Sequence, residues 1–152
     1  MPGLSAQGTL IARSPDPNWP DFDPSGDPVS FATIAELRDI TLPALTRNEI
    51  ETTTHNEQDD QYIVGIRRHG TCSFDMNFLP RSGSHDHVTG LQQSWFEGLR
   101  EIFRVTTPDG AGGTAWLFSG FVSNFAPSAP VDDRLSAQVT LRPTGRHDWV
   151  AL

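Results

Sequence analysis

A mainly β fold, a sandwich or partial barrel with one helix packed against it, is what this sequence predicts, on three observations. Segments in which apolar and polar residues alternate recur along the chain, the mark of half-buried strands. One stretch alone carries apolar residues at a spacing that only a helix brings together. Twelve prolines and thirteen glycines among 152 residues cut the chain into short pieces. That length suits one domain, with an extended arm over residues 1–29 and a single β domain over 30–152.

The arm is rich in Pro, Asp, Ser and Gly, as in Ser14-Pro15-Asp16-Pro17-Asn18-Trp19-Pro20, with Trp19 and Phe22 as anchors onto the body or a neighbour. Residues 30–41 read as the first strand, and Pro43 breaks it. The polar stretch 47–61 reads as a long excursion or hairpin. The alternation is clearest over Thr71-Cys72-Ser73-Phe74-Asp75-Met76-Asn77-Phe78, which places Cys72, Phe74, Met76 and Phe78 on one face and polar groups on the other. Tyr62 to Arg67 is expected as its hairpin partner, joined through His69-Gly70. Asp86 is expected to cap a helix whose buried face carries Val88, Leu91, Trp95 and Leu99. Strands follow over 102–106 and 114–125, joined by Pro108-Asp109-Gly110, with Gly120 marking a bulge or close approach. A last strand alternates Leu135, Ala137, Val139 and Leu141 against Arg134, Ser136, Gln138, Thr140 and Arg142.

The formal charge of -8 lies wholly in the first part: residues 1–60 hold eleven acids against three arginines, and residues 61–152 hold eight of each. A negative chain does not release counterions from phosphates, which argues against a conventional nucleic-acid binder. Cys72 is the single cysteine, so an intramolecular disulfide or a cysteine-based metal cluster is excluded. The start of the sequence lacks a signal-peptide pattern and no run of eighteen apolar residues occurs, so a soluble chain made in the cytoplasm is expected.

Candidate chemistry is sparse, and neither a catalytic nor a cofactor or metal site is expected. His85-Asp86-His87 lacks the i, i+4 helical spacing of zinc proteases and reads as a capping turn. Ser84 beside His85 invites the thought of an activated serine but lacks a nucleophile elbow. The pairs Asp59-Asp60 and Asp132-Asp133 lie in polar loops where Asp favours turn geometry. Trp116 and Trp95 read as core, whereas Trp19 and Trp149 leave open an alternative, a carbohydrate-binding β-sandwich module on a particle surface.

Three stretches resemble the major tail tube proteins of long-tailed bacteriophages: Glu49 to His55 with Tyr62 to Pro80, Val105 to Gly110 leading to Trp116 through Val122, and Ala129 to Gly145. The likeness extends to the tubes of contractile tails and type VI secretion. It implies two packed β-sheets with a flanking helix, six subunits closing a ring, and rings stacking into a tube. It implies a non-enzymatic virion tail protein, made in the bacterial host, that encloses a tape-measure protein. The other implied partners are the tail terminator and baseplate or tip proteins, with DNA passing through unbound. Within that frame the lumen candidates are Thr71, Ser73, Asp75 and Asn77, with Ser136, Gln138 and Thr140. The ring-stacking candidates are Glu49, Glu51, Thr52, Thr53, Thr54, Glu57, Asp59 and Asp60.

Overall fold

The computed structural model of the chain describes residues 3, 5, 7–15 and 31–151. Its elements in chain order are β1 (Leu10–Pro15), β2 (Ala32–Thr33), β3 (Leu37–Thr41), β4 (Leu45–Glu51), β5 (Tyr62–His69), β6 (Cys72–Asn77), α1 (Leu91–Glu97), β7 (Arg100–Thr107), β8 (Thr114–Ser128) and β9 (Ser136–Ala151). Seven strands form one antiparallel sheet in the order β2-β1-β7-β8-β9-β6-β3, while β4 and β5 pair with each other as a second sheet. The fold is thus mainly β, with two sheets and one flanking helix.

The seven-stranded sheet curls into a partial barrel, and chain length alone requires it. β2 and β3 are its opposite edges, yet residues 34–36 are all that separate them in sequence. A link that short spans at most about 14 Å, so the two edges must approach each other. Glu36 makes the corner with a φ of 62°, and its carbonyl accepts the Asn77 N–H at 3.0 Å. On the other side Ile34 donates its N–H to Ile11 O at 2.9 Å.

Inside the curl, side chains from both halves of the sheet meet in one core of Ile11, Ile34, Phe74, Met76, Phe103, Val105, Trp116, Phe118, Val139 and Leu141, closed at one end by Leu91 of α1. The two layers facing each other across this core therefore belong to the same sheet. Cys72 is fully buried there, and burial pushes its thiol up to about 12, so it acts as a small apolar side chain. Long β8 and β9 bend around the core at two register shifts, one beside Gly120. A Cβ at Gly120 would stand 2.5 Å from the Arg142 carbonyl, which is why glycine is needed at that close approach.

Several expectations change. Part of the expected arm, Leu10–Pro15, is strand β1 within the main sheet; Trp19 and Phe22 lie outside the described residues. The first strand splits at the Glu36 corner into β2 and β3. β5 pairs with β4 and not with β6, whose partners are β9 and β3; the junction turns away because Gly70 donates its N–H to Ala44 O. The helix is shorter than its spacing suggested, and Gly90 stands at its N-cap. Asp86 instead ties the preceding turn, accepting the Val88 and Thr89 N–H groups at 3.2 and 2.8 Å. The buried helix face is Leu91 with Ser94; Trp95, Val88 and Leu99 are exposed. Ser94 faces inward because its hydroxyl donates to Glu101 of β7 at 2.6 Å, a polar contact that apolar spacing does not register.

Candidate functional site

Two surfaces stand out, a polar sheet face and an uncovered hairpin. On the first, strand register sets the lumen candidates in direct cross-strand pairs: Ser73 opposite Thr140, Asp75 opposite Gln138, and Asn77 opposite Ser136. The rows extend to β3, where Thr41 faces Ser73, and to β8, where Asn124, Ala126 and Ser128 face Thr140, Gln138 and Ser136. Four neighbouring strands thus present one polar surface on the outside of the partial barrel. Its acids are Asp75, Asp39 on β3 two residues before Thr41, and, beside Asn77 through a 3.1 Å hydrogen bond, Glu36. Arg142 follows Thr140 on the same face by alternation. Thr71 is exposed just before β6 begins. Asn124 and Ser128 escaped the sequence reading because two register shifts interrupt the alternation of β8.

The second surface is the β4–β5 hairpin, exposed over nearly its whole length on both faces. It nevertheless carries Leu45, Ile50, Tyr62, Ile63, Val64 and Ile66, each about half or more exposed. A bulge shifts the register between Arg47 and Glu49, at the place where a Cβ on Gly65 would lie 2.9 Å from Asn48 Cβ. Glu49 and Glu51 lie on β4 opposite Val64 and Tyr62, and the other stacking candidates fall in the tip, residues 52–61. The tip closes a hairpin, the second of the two readings its polarity allowed. Thr52 donates its N–H to Gln61 O at 2.8 Å, Gln61 donates its N–H to Thr53 Oγ1 at 2.8 Å, and Glu57 accepts the Thr54 N–H at 3.1 Å. The threonines therefore hold the loop's shape, while Asp59 and Asp60 stay exposed.

At the hairpin's base, His69 stacks on His147 with ring centroids 3.5 Å apart. His147 Nδ1 accepts the Trp116 indole N–H at 2.7 Å, and Trp149 stacks on Trp116. Burial, then His69 and Arg67, lowers His147 to about 4. Nothing local to either histidine in the sequence announced this contact between β5 and β9.

The expected chemical groups serve the backbone. His85 is fully buried; its Nδ1 accepts the Leu79 N–H at 3.1 Å and its Nε2 lies 2.8 Å from the Ala35 carbonyl, which leaves neither nitrogen for Ser84. Ser84 Oγ in turn accepts the Ala35 N–H at 3.3 Å. Asp109 gathers the Ala111 and Gly113 N–H groups and the Thr114 hydroxyl in the β7–β8 turn. Among the described residues no three His, Cys, Asp or Glu side chains group as metal ligands, and no helix is long and apolar enough to cross a membrane.

A nearly closed sheet with a polar outer face and an uncovered apolar hairpin defines a structural, assembly-forming β protein. The comparisons make that class specific. The family model for lambda-like phage tail tubes matches residues 22–152. The fold is similar to a chain in the tail of an empty gene transfer agent particle, refined with helical and C6 symmetry, with TM-score 0.70 and 18% identity over 98% of this chain and 100% of that one. It is also similar to a chain of the anti-feeding prophage baseplate, with TM-score 0.68 and 10% identity over 99% and 96%. A third is the SPP1 tail tube, with TM-score 0.62 and 9% identity over 94% and 77%. No curated protein matches the chain significantly. The chain belongs to the lambda-like phage tail tube family.

Proposed function

We propose that six copies of this chain close a ring, that rings stack into the tail tube, and that the face of β3, β6, β9 and β8 lines the lumen through which DNA passes. The observation that carries the assembly reading is the β4–β5 hairpin. A lone two-stranded hairpin is marginal in water, and this one exposes six large apolar side chains over its two faces, so another subunit must cover it. A head-to-tail contact that closes by rotation gives a ring, and a second one along the axis gives a filament. The C6 symmetry of the gene transfer agent tail supports six as the number.

The lumen assignment rests on the same register that buries Phe74 and Val139: their neighbours Ser73, Asp75, Gln138 and Thr140 must face the other way. A polar, weakly acidic lining suits DNA passage because it does not bind phosphates. Enclosing a tape-measure protein and meeting terminator and baseplate proteins at the tube ends follow from that role. A non-enzymatic role is supported by Ser84, His85 and Asp86 all serving the backbone. The reading is tested by negative-stain microscopy of the concentrated protein, where rings or tubes are expected. A species that stays monomeric at high concentration, even with a tail initiator added, overturns it.

A further inference from the structure

The base of the hairpin is a cationic pocket of about 240 Å³ whose lining includes Arg47, Arg67, Arg68, His69, His147 and Trp149 and no carboxylate. Arg47 and Arg67 stand directly opposite each other across β4 and β5. Like charges so placed repel, a cost that an anion between them would remove. Arg47 donates to Gly65 O at 3.2 Å and Arg68 to Asn48 Oδ1 at 3.2 Å, both neutral acceptors, and among the described residues neither arginine forms an ion pair. His147 adds a second, independent sign. Its Nδ1 is an acceptor, so its neutral ring carries the proton on Nε2, and among the described residues buried Nε2 has no partner.

The other end of the same hairpin has the opposite charge. Glu49, Glu51, Glu57, Asp59 and Asp60 cluster from mid-strand to tip, and among the described residues none of them forms an ion pair. We propose that the Arg47, Arg67, His69 and His147 pocket at the hairpin base receives the acidic tip, Glu57, Asp59 and Asp60, of the hairpin of a second copy. The tip does not return to its own base: four residues of strand, about 13 Å, part Arg47 from Glu51, and the loop beyond closes on Gln61. Guanidinium pairs suit a carboxylate because they bind it bidentately. The contact is head-to-tail, the type that propagates a filament, and in this respect it rests on the stacked-ring reading.

Charge exchange tests it. Arg47→Glu with Arg67→Glu, and separately Asp59→Arg with Asp60→Arg, are each expected to leave the circular dichroism spectrum unchanged and to stop tube elongation. The four changes together are expected to restore tubes. Normal elongation by either reversed variant, or no recovery in the fourfold variant, overturns the proposal. A second measurement stands apart from tube formation. A synthetic peptide of residues 50–63 is expected to bind the soluble subunit, read in tryptophan fluorescence, at least tenfold more weakly after Arg47→Glu and Arg67→Glu. Equal binding to that variant, or displacement of the peptide by duplex DNA at lower concentration than by a tip peptide itself, overturns it even if tubes form.

Discussion

Arg13 of β1 and Glu101 of β7 form an ion pair at 3.0 Å beneath helix α1, and both side chains are nearly buried. Arg13 also donates to Ser94 Oγ at 3.0 Å and to the Thr89 carbonyl, and Ser94 donates to Glu101. One cluster thus joins the helix, the turn before it and two strands.

Removing one partner leaves a buried charge alone, so Glu101→Ala is expected to cost about 3 to 5 kcal/mol in urea unfolding. Replacing Arg13 and Glu101 together by Met is expected to recover most of that loss. A double variant as unstable as the single one would show that packing around α1, and not the orphaned charge, sets the cost.

Phe74 is buried at the centre of the core and pairs across the strands with Val139. Phe74→Ala is expected to lower unfolding free energy by about 3 to 5 kcal/mol. A loss under about 1 kcal/mol would mean that the site collapses or is wet.

His147 gives the subunit a defined acid response. Its folded pKa, about 4, lies below the usual histidine value of 6.5. Between those values the unfolded chain takes up a proton that the folded one refuses. Stability is therefore expected to fall as pH drops through this window, by up to about 3 kcal/mol near pH 4, with no further loss from this group below it. Urea unfolding at pH 7 and 4.5 measures the difference. His147→Asn keeps an acceptor for Trp116 and is expected to shrink it.

The proposed lumen face predicts a salt-dependent delay. Asp75→Arg with Asn77→Arg is expected to leave tubes assembling while slowing genome ejection at low ionic strength, with recovery as salt screens the attraction. Ejection at the normal rate in low salt would place these side chains off the DNA path.

The alternation over residues 72–77 determined a strand with Cys72, Phe74 and Met76 inside, and the fold buries those three. The close approach at Gly120 and the inward face of Ala137, Val139 and Leu141 were equally legible, because period two and the absence of a Cβ are local properties; Leu135 instead lies exposed before β9, and the strand's continuation past Arg142 to Ala151 was missed. The partner of a strand is not local. Tyr62 to Arg67 looked like the neighbour of Cys72 to Asn77, but backbone hydrogen bonding assigned it to β4. That choice left the hairpin outside the core and created its uncovered faces. The helix spacing likewise named Leu91 correctly and Trp95 wrongly, since an ion pair from β1 and β7 drew Ser94 inward. The cationic pocket joins β5 to a strand end far along the chain through His69 and His147. Sequence pattern records which side of a strand is apolar; burial, charge and register between distant segments decide what that side meets, and these exist only once the sheet has curled.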